Sequence, residues 1–488
     1  MRGSAYQMTI KGKPTVLLIQ PHSGFWERLR KANVVPLGLL SIASGLPDTF
    51  DIEIIDLRSD SNWQSKVREV LGRNCILVGI TTNTGPMISS ALAVAAMIRE
   101  ISDVPIVWGG VHPSLVPEQT AGSSLVDIVV RGEGEFIFSE VAQRLSEGAS
   151  PAELNDICGL AFKQGDQITV TPDTPLIDPA RIPTPAYQLL NIERYLPKYN
   201  GRRSLAYQSS RGCHRKCAYC YNSIVNKGRW RALGAERVLN ELRDLHDQYR
   251  FDEIYFIDDN FFCNDQRSET IVEGLCKTPL TYMIQGVDID SISRMDEPFL
   301  ALLARSGLRR ISIGIESGSP SMRQQLNKSE SIAQIEAQIT RLSKYQIQLY
   351  LSFIINLPGE RLDDIRQTIR LIRKLHRLNP NVLSSPLYFY APYPQTQLYY
   401  SSVQQGFQPP ESLEQWGSVS FDMPNLSPAG DIDRRMLLGL SFSSYFIDDK
   451  ILMYIDSRFL AALAALPADG RVSFQQIDVL GHARAFPA

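Results

Sequence analysis

The chain has 488 residues, 44% hydrophobic and 21% charged, which is ordinary globular composition and too much chain for one core, so two or three domains are expected. Lys+Arg 50 against Asp+Glu 52 leaves a formal charge of -2, which gives no basic footprint for nucleic acid, and no apolar run approaches the roughly twenty residues that span a bilayer. Small molecules or peptides are the partners left, and the opening Met1-Arg2-Gly3-Ser4 lacks an apolar signal core, which gives a cytoplasmic expectation.

From about residue 14, short apolar runs alternate with helical stretches. Residues 15–19, 52–55, 76–80, 105–108 and 127–130 read as buried strands, and Val94, Met97, Ile98 and Ile101 fall at i, i+3, i+4 and i+7, the stripe of a helix packed on a sheet. The prediction is an α/β, Rossmann-like, doubly wound parallel domain over 14–150. Gln164-Gly165-Asp166 marks a hairpin, and Pro172, Pro175, Pro179, Pro183 and Pro185 exclude helix and central strand, so 151–200 is assigned as hairpin and proline-rich linker. A second α/β series occupies 201–398, with strands expected at 205–209, 253–257, 282–287, 310–315, 350–355 and 386–390. Six such units predict a partial (β/α)6 barrel of the TIM type. The remainder, 399–488, is a small mixed region with aromatic residues near Tyr399, Trp416 and Tyr445. Its expected place is over the open side of the barrel mouth, touching substrate.

Seven cysteines make an odd count for a disulfide framework, and Cys213, Cys217 and Cys220 crowd into eight positions. Three thiolates on a short loop can bind three irons of a [4Fe-4S] cubane and leave the fourth iron open for a small-molecule ligand. Zinc, with His214 as a fourth ligand, and ordinary buried thiols are the competing readings. Cys75, Cys158, Cys263 and Cys276 are scattered and are expected to be buried structural thiols.

Ser210-Arg211-Gly212-Cys213-His214-Arg215-Lys216-Cys217-Ala218-Tyr219-Cys220 resembles the signature of the radical S-adenosylmethionine (SAM) superfamily. The resemblance implies that the open iron chelates SAM, that an electron from the reduced cluster yields a 5'-deoxyadenosyl radical, and that an external donor such as flavodoxin or ferredoxin supplies the electron. It places Tyr219 against the adenine, with a core aromatic as the alternative. Asp258-Asp259-Asn260 follows the second barrel strand and resembles the segment that contacts the SAM amino group, although it is also good cap material. Gly314-Ile315-Glu316-Ser317-Gly318 ends the fourth strand, and the resemblance makes Glu316 and Ser317 polar contacts to SAM; a structural ion pair is the alternative. Leu357-Pro358-Gly359-Glu360 resembles the family's Gly-Leu-Pro-Gly-Glu turn and brings in Glu360, but Asn356 stands where glycine is usual. Gln395 likewise replaces glycine in Pro392-Tyr393-Pro394-Gln395-Thr396. Asparagine can still adopt a left-handed backbone.

In the amino-terminal region, polar or glycine-rich tips follow the predicted strands: Gln20-Pro21-His22, Thr81-Thr82-Asn83-Thr84 and Gly109-Gly110-Val111-His112-Pro113. Open parallel sheets bind ligands there. With Val34-Val35-Pro36-Leu37-Gly38 and Val130-Arg131-Gly132-Glu133-Gly134-Glu135, these segments resemble the cobalamin-binding domain fused to many radical SAM enzymes. The resemblance implies a cobalamin site using Thr81, Thr82, Gly109, Gly110 and His112. No D-x-H-x-x-G signature is present, so cobalt is expected without a protein histidine below it, and His22 is read as a loop residue. The combination implies C-methylation of an unactivated carbon in a small metabolite, lipid or peptide, using a deoxyadenosyl radical and methylcobalamin. A radical cyclase or ring-rearranging enzyme, and a non-catalytic cobalamin- or cluster-binding regulator, are the alternatives.

Overall fold

The computed structural model describes residues 12–24, 33–196, 198–199, 201–428 and 432–444; Met1 to Ser4 and Tyr445, singled out above, lie outside them. The first sheet is built from β1 (Thr15–Gln20), β2 (Asp51–Asp56), β3 (Cys75–Thr81), β4 (Ile106–Gly109), β5 (Ile128–Val130), β6 (Leu160–Gln164) and β7 (Gln167–Val170), in the order β2-β1-β3-β4-β5-β6-β7. β1 to β5 are mutually parallel, and every residue of β1 is buried, as a strand covered on both faces must be. The predicted strands of this domain are all present, and the order 2-1-3-4-5 puts a topological switch between β1 and β3. Helix α1 (Leu37–Ser44) covers one face; α2 (Pro86–Arg99) packs on the other with Val94 and Ile98 inside, whereas Ile101 lies beyond the helix end and is exposed.

The hairpin at Gly165, grouped above with the linker, pairs antiparallel with β5 and extends this sheet by two strands. The proline-rich segment then crosses to the second sheet, made of β8 (Lys198–Tyr199), β9 (Arg202–Tyr207), β12 (Glu253–Phe256), β13 (Thr281–Val287), β14 (Leu308–Glu316), β15 (Gln348–Ile355) and β16 (Val382–Phe389). The order is β16-β15-β14-β13-β12-β9-β8, parallel except for β8. Six parallel strands with crossover helices, and no pairing of β16 back to β9 among the described residues, are the predicted partial barrel. A small hairpin, β10 (Ser210–Arg211) with β11 (Arg231–Ala232), stands on its rim.

Helix α1 joins the two halves: Leu37 and Leu40 belong to the barrel's apolar core, Leu39 and Ala43 to that of the first sheet. The segment after residue 400 does more than cover the barrel. Trp416, in the turn Glu414–Ser418, is buried against the first domain; its indole Nε1 donates to Gln119 at 2.5 Å, and its ring stands 5.3 Å from that of His112. Helix α3 (Arg434–Ser444) packs on β16, and Ser444 Oγ accepts from Leu387 N at 2.8 Å. No helix among the described residues is long and apolar enough to cross a membrane.

Candidate active site

The three cysteines leave the barrel just after β10, on a loop held from several sides. Gly212 has φ +82°, and a Cβ there would lie 2.0 Å from the Arg229 carbonyl, so glycine is required. Its N–H donates to Asp259 at 2.8 Å. Further along, Ala218 N donates to Leu326 O at 3.0 Å and Ala218 O accepts from Leu398 N at 2.8 Å. Cys213, Cys217 and Cys220 all line one cavity of about 760 Å³ that enters the barrel interior. All three thiols are free, and burial pushes them up, Cys220 to about 12. Soft ligands that stay protonated in an empty site are deprotonated outright by a coordinated metal, so the donor set suits an iron-sulfur group. The zinc alternative loses its fourth ligand: His214 Nδ1 is 3.1 Å from Cys263 Sγ and the ring faces outward. Cys158 and Cys276 are exposed rather than buried, since each sits at the end of an element instead of inside one.

Polar groups ring this cavity beside the thiols. Tyr219 hydroxyl donates to Glu316 Oε1 at 2.8 Å, and burial raises the phenol well above its usual value. Glu316 adopts φ +69°, which turns its carboxylate into the barrel, where Lys328 Nζ lies 3.7 Å away and donates to Gly314 O at 2.9 Å. Burial opposes the Lys328 charge, but Glu316 and Cys217 outweigh it and hold the ammonium pKa above normal. Asn260 donates from Nδ2 to Asp288 at 2.6 Å and keeps its buried Oδ1 without a protein donor. Burial would raise the Asp288 carboxyl, yet hydrogen bonds, led by Arg215, hold it near 2. Asp259 lines this cavity and a second one described below.

Two residues expected here are elsewhere. Ser317 is fully buried and faces away from the cavity, with its hydroxyl 3.2 Å from Thr368 Oγ1. Glu360 folds back on its own turn, accepting from Asn356 N at 2.6 Å and Leu357 N at 3.3 Å; its second oxygen is buried without a hydrogen-bond partner, the residue lines a separate small cavity, and burial pushes its pKa up to about 8. The two non-glycine substitutions keep the backbone of glycine, with φ +61° at Asn356 and +67° at Gln395. Lys328, Arg215 and Asp288 were missed: Lys328 follows a short helix, Arg215 lies between two cysteines at a position their spacing leaves unspecified, and Asp288, although it follows β13 directly, reads as the cap of the next helix.

The second cavity, about 300 Å³, opens at the carboxyl ends of the first sheet between α1, the sheet and the helix Glu135–Ser146. Thr81, Gly109 and Gly110 line it with Gly79. Gly110, at φ +104°, would carry a Cβ 2.6 Å from Thr82 O, and a Cβ on Gly79 would run into Leu18 and Phe138. These positions leave a slot with apolar walls that extends to Asp259, Arg211 and Tyr221 of the barrel rim. Thr82 sits behind the wall, fully buried, with its N–H on Gly109 O at 2.8 Å. His112 is not on it. Its Nδ1 is 3.0 Å from Thr84 Oγ1, it faces Trp416, and burial drives its pKa down to about 3. The expectation that His112 touches cofactor is corrected: helix Val111–Leu115 carries Val111 to the slot and turns His112 the other way.

Profile comparison matches residues 207–372 to the Radical SAM superfamily and residues 30–142 to the B12 binding domain. An uncharacterized methyltransferase of Pyrococcus horikoshii is 31% identical over 79% of this chain and 82% of its own length. The chain belongs to the cobalamin-binding radical SAM enzymes. An anaerobic magnesium-protoporphyrin IX monomethyl ester cyclase of Synechocystis is 25% identical, over 73% of this chain and 71% of its own. In fold, the radical SAM methyltransferase TsrM of Kitasatospora setae aligns with TM-score 0.65 at 20% identity, over 80% of this chain and 76% of that one. The cofactors of this cobalamin-dependent radical SAM enzyme are a [4Fe-4S] cluster, SAM and cobalamin, and the reaction needs a small-molecule substrate and a reductant. The residues present fit all three: three free thiols on the wall of one cavity, acceptors and a cation beside them in that cavity, and a glycine-walled slot reaching the same rim.

Proposed function

We propose that this enzyme methylates an unactivated carbon of a small metabolite, lipid or peptide. The observation that carries the reading is the meeting of the two cavities at one residue: Asp259 stands in the wall of both. A ligand at the end of the slot and one in the barrel would both reach Asp259, at the carboxyl ends of both sheets. When bound, the cluster and SAM supply one-electron chemistry that removes a hydrogen atom, and cobalamin supplies a methyl group.

The protein's share is binding, orientation and exclusion of water. Cys213, Cys217 and Cys220 hold the cluster. Lys328, a buried cation beside Cys217, suits the carboxylate of SAM; Asn260 Oδ1 and the Asp259 carboxylate offer acceptors to its ammonium group. Glu316 keeps Lys328 charged and Tyr219 fixes Glu316, so the pair sets the cation in place. Thr81, Gly109 and Gly110 shape the slot for cobalamin. The reductant in this reading is an external electron donor such as flavodoxin or ferredoxin, and the cytoplasm is the expected compartment.

Cyclisation without methyl transfer is the second reading, favoured by the likeness to the ester cyclase. Anaerobic reconstitution with iron, sulfide and cobalamin, then mass spectrometry of candidate substrates, separates the two: a product heavier by one CH2, with S-adenosylhomocysteine and 5'-deoxyadenosine formed alongside, supports methylation. A dehydrogenated or cyclised product of unchanged carbon count refutes it.

A further inference from the structure

Two carboxylates at the edge of the first domain, Glu135 buried and Glu133 half-buried, take no part in the chemistry above. The turn that enters helix Glu135–Ser146 brings Glu133 and Glu135 against the start of the cysteine loop. Glu135, 4% exposed, accepts through Oε1 from Arg211 Nη2 at 2.5 Å and from Ser41 Oγ at 2.8 Å. Arg211 continues to Glu133 Oε1 at 3.1 Å, and Arg231 reaches Glu133 Oε2 at 2.7 Å. Arg211 stands two positions before Cys213, so this ion cluster ties the first domain to the loop of thiols.

The second oxygen of Glu135 is different. Oε2 is buried and takes no hydrogen bond from the protein, and Glu135 lies on the wall of the slot. Burial works against ionisation, but the Arg211 charge outweighs it, so the group stays a carboxylate and can only accept. A buried acceptor left open costs free energy that a ligand donor recovers. The slot thus asks for a hydroxyl or N–H donor at this point and disfavours a second anion.

We propose that Glu135 Oε2 accepts a hydrogen bond from a ribose hydroxyl of the nucleotide end of the corrinoid, while Oε1 stays on Arg211. One carboxylate would then connect the cofactor in the slot to the loop that carries Cys213. This assignment rests on the cobalamin reading of the slot.

The test compares cobalamin with cobinamide, which has the corrin ring but lacks the ribose phosphate and base. Both are titrated by equilibrium dialysis into the full chain with its cluster reconstituted. Glu135→Gln places an amide N–H where one carboxylate oxygen stood, so cobalamin should bind about ten- to a hundred-fold more weakly, the effect of losing a hydrogen bond to a charged group. Cobinamide binding should change less than about two-fold. Glu135→Asp, which keeps the charge but withdraws the oxygen, should show the same selectivity and covers the case in which the glutamine variant does not fold. Unchanged cobalamin affinity in both variants, or equal losses for both corrinoids, overturns the assignment. Wild-type protein that binds neither corrinoid overturns the cobalamin reading itself.

Discussion

Lys328→Met removes a charge and little volume from the barrel cavity, and its cost can be worked from the geometry. The Lys328 and Glu316 side chains are 10% and 6% exposed and 3.7 Å apart. Deleting one member of a buried pair costs about 3–5 kcal/mol when the survivor loses its compensation. Glu316 keeps the Tyr219 donor at 2.8 Å, so about 2–3 kcal/mol is expected here. Combining the change with Glu316→Gln removes the stranded charge as well. The double variant should therefore be more stable than the sum of the single effects by at least about 1 kcal/mol. SAM binding gives an independent reading. If Lys328 holds the carboxylate of SAM, affinity falls about ten- to a hundred-fold, the worth of a hydrogen bond to a charged group. Urea unfolding of the metal-free protein measures the first quantity; equilibrium dialysis of labelled SAM against reconstituted enzyme measures the second. Strictly additive stability effects, or SAM affinity within two-fold of wild type, would refute the reasoning.

Replacing Cys213, Cys217 and Cys220 together by alanine should abolish iron binding and 5'-deoxyadenosine formation while leaving far-UV circular dichroism intact; retained iron and cleavage would sink the cluster assignment. For Glu360, the folded pKa is raised from 4.5 to about 8, so the folded state keeps a proton that the unfolded chain releases. Its contribution is complete below about pH 4.5 and is lost as pH rises toward 8, at a slope of up to about 1.4 kcal/mol per pH unit. Glu360→Gln, neutral at every pH, should flatten that part of the urea midpoint profile between pH 5 and 8, and an unchanged profile speaks against it. At Asn356, φ is +61° and the side chain bonds both ways to Leu426, donating from Nδ2 at 3.3 Å and accepting from Leu426 N at 3.1 Å. Asn356→Ala should destabilise by about 1 kcal/mol more than Asn356→Gly, since both lose the bonds but only alanine strains the backbone; equal losses in urea unfolding would contradict this.

The strands were legible because parallel strands covered by helices must be short, mostly apolar and separated by helical stretches; β1 is buried at every residue, and β15 alternates buried with half-buried residues because one face lines the barrel cavity. The cysteine spacing was legible because a cluster loop is local in sequence. The side-chain directions at strand ends were not. Glu316 and Ser317 are neighbours, yet the left-handed turn at Glu316 sends one carboxylate into the barrel and leaves the next hydroxyl on Thr368. Glu360 satisfies the N–H groups of its own turn, a local bond that competes with any outward reach. Lys328 was invisible for the opposite reason: it follows a short helix, Pro320–Gln325, and acquires its role only when the chain brings it beneath β14. The hairpin at Gly165 reads the same whether it stands alone or completes a sheet, and only β5 decides that.

The replacement of glycine at 356 and 395 has a structural reason, and at 395 it bears on how the two domains are held. Both residues keep the left-handed backbone that glycine would supply, and both spend the added side chain on a long-range bond: Asn356 on Leu426, and Gln395 on the carbonyl of Leu115 in the first domain. Trp416 with Gln119, and Arg211 with Glu133 and Glu135, make further ties between the barrel half and the first sheet. Two cofactor sites on separate sheets are useful only if their separation is fixed, since a misplacement of about 1 Å can cost a hundred-fold in rate. Of the two departures from the family pattern, Gln395 thus ties the barrel half to the first domain and Asn356 ties the barrel to the segment after residue 400, and the cost of a non-glycine φ > 0, about 1 kcal/mol at each site, is offset by bonds that a glycine could not make.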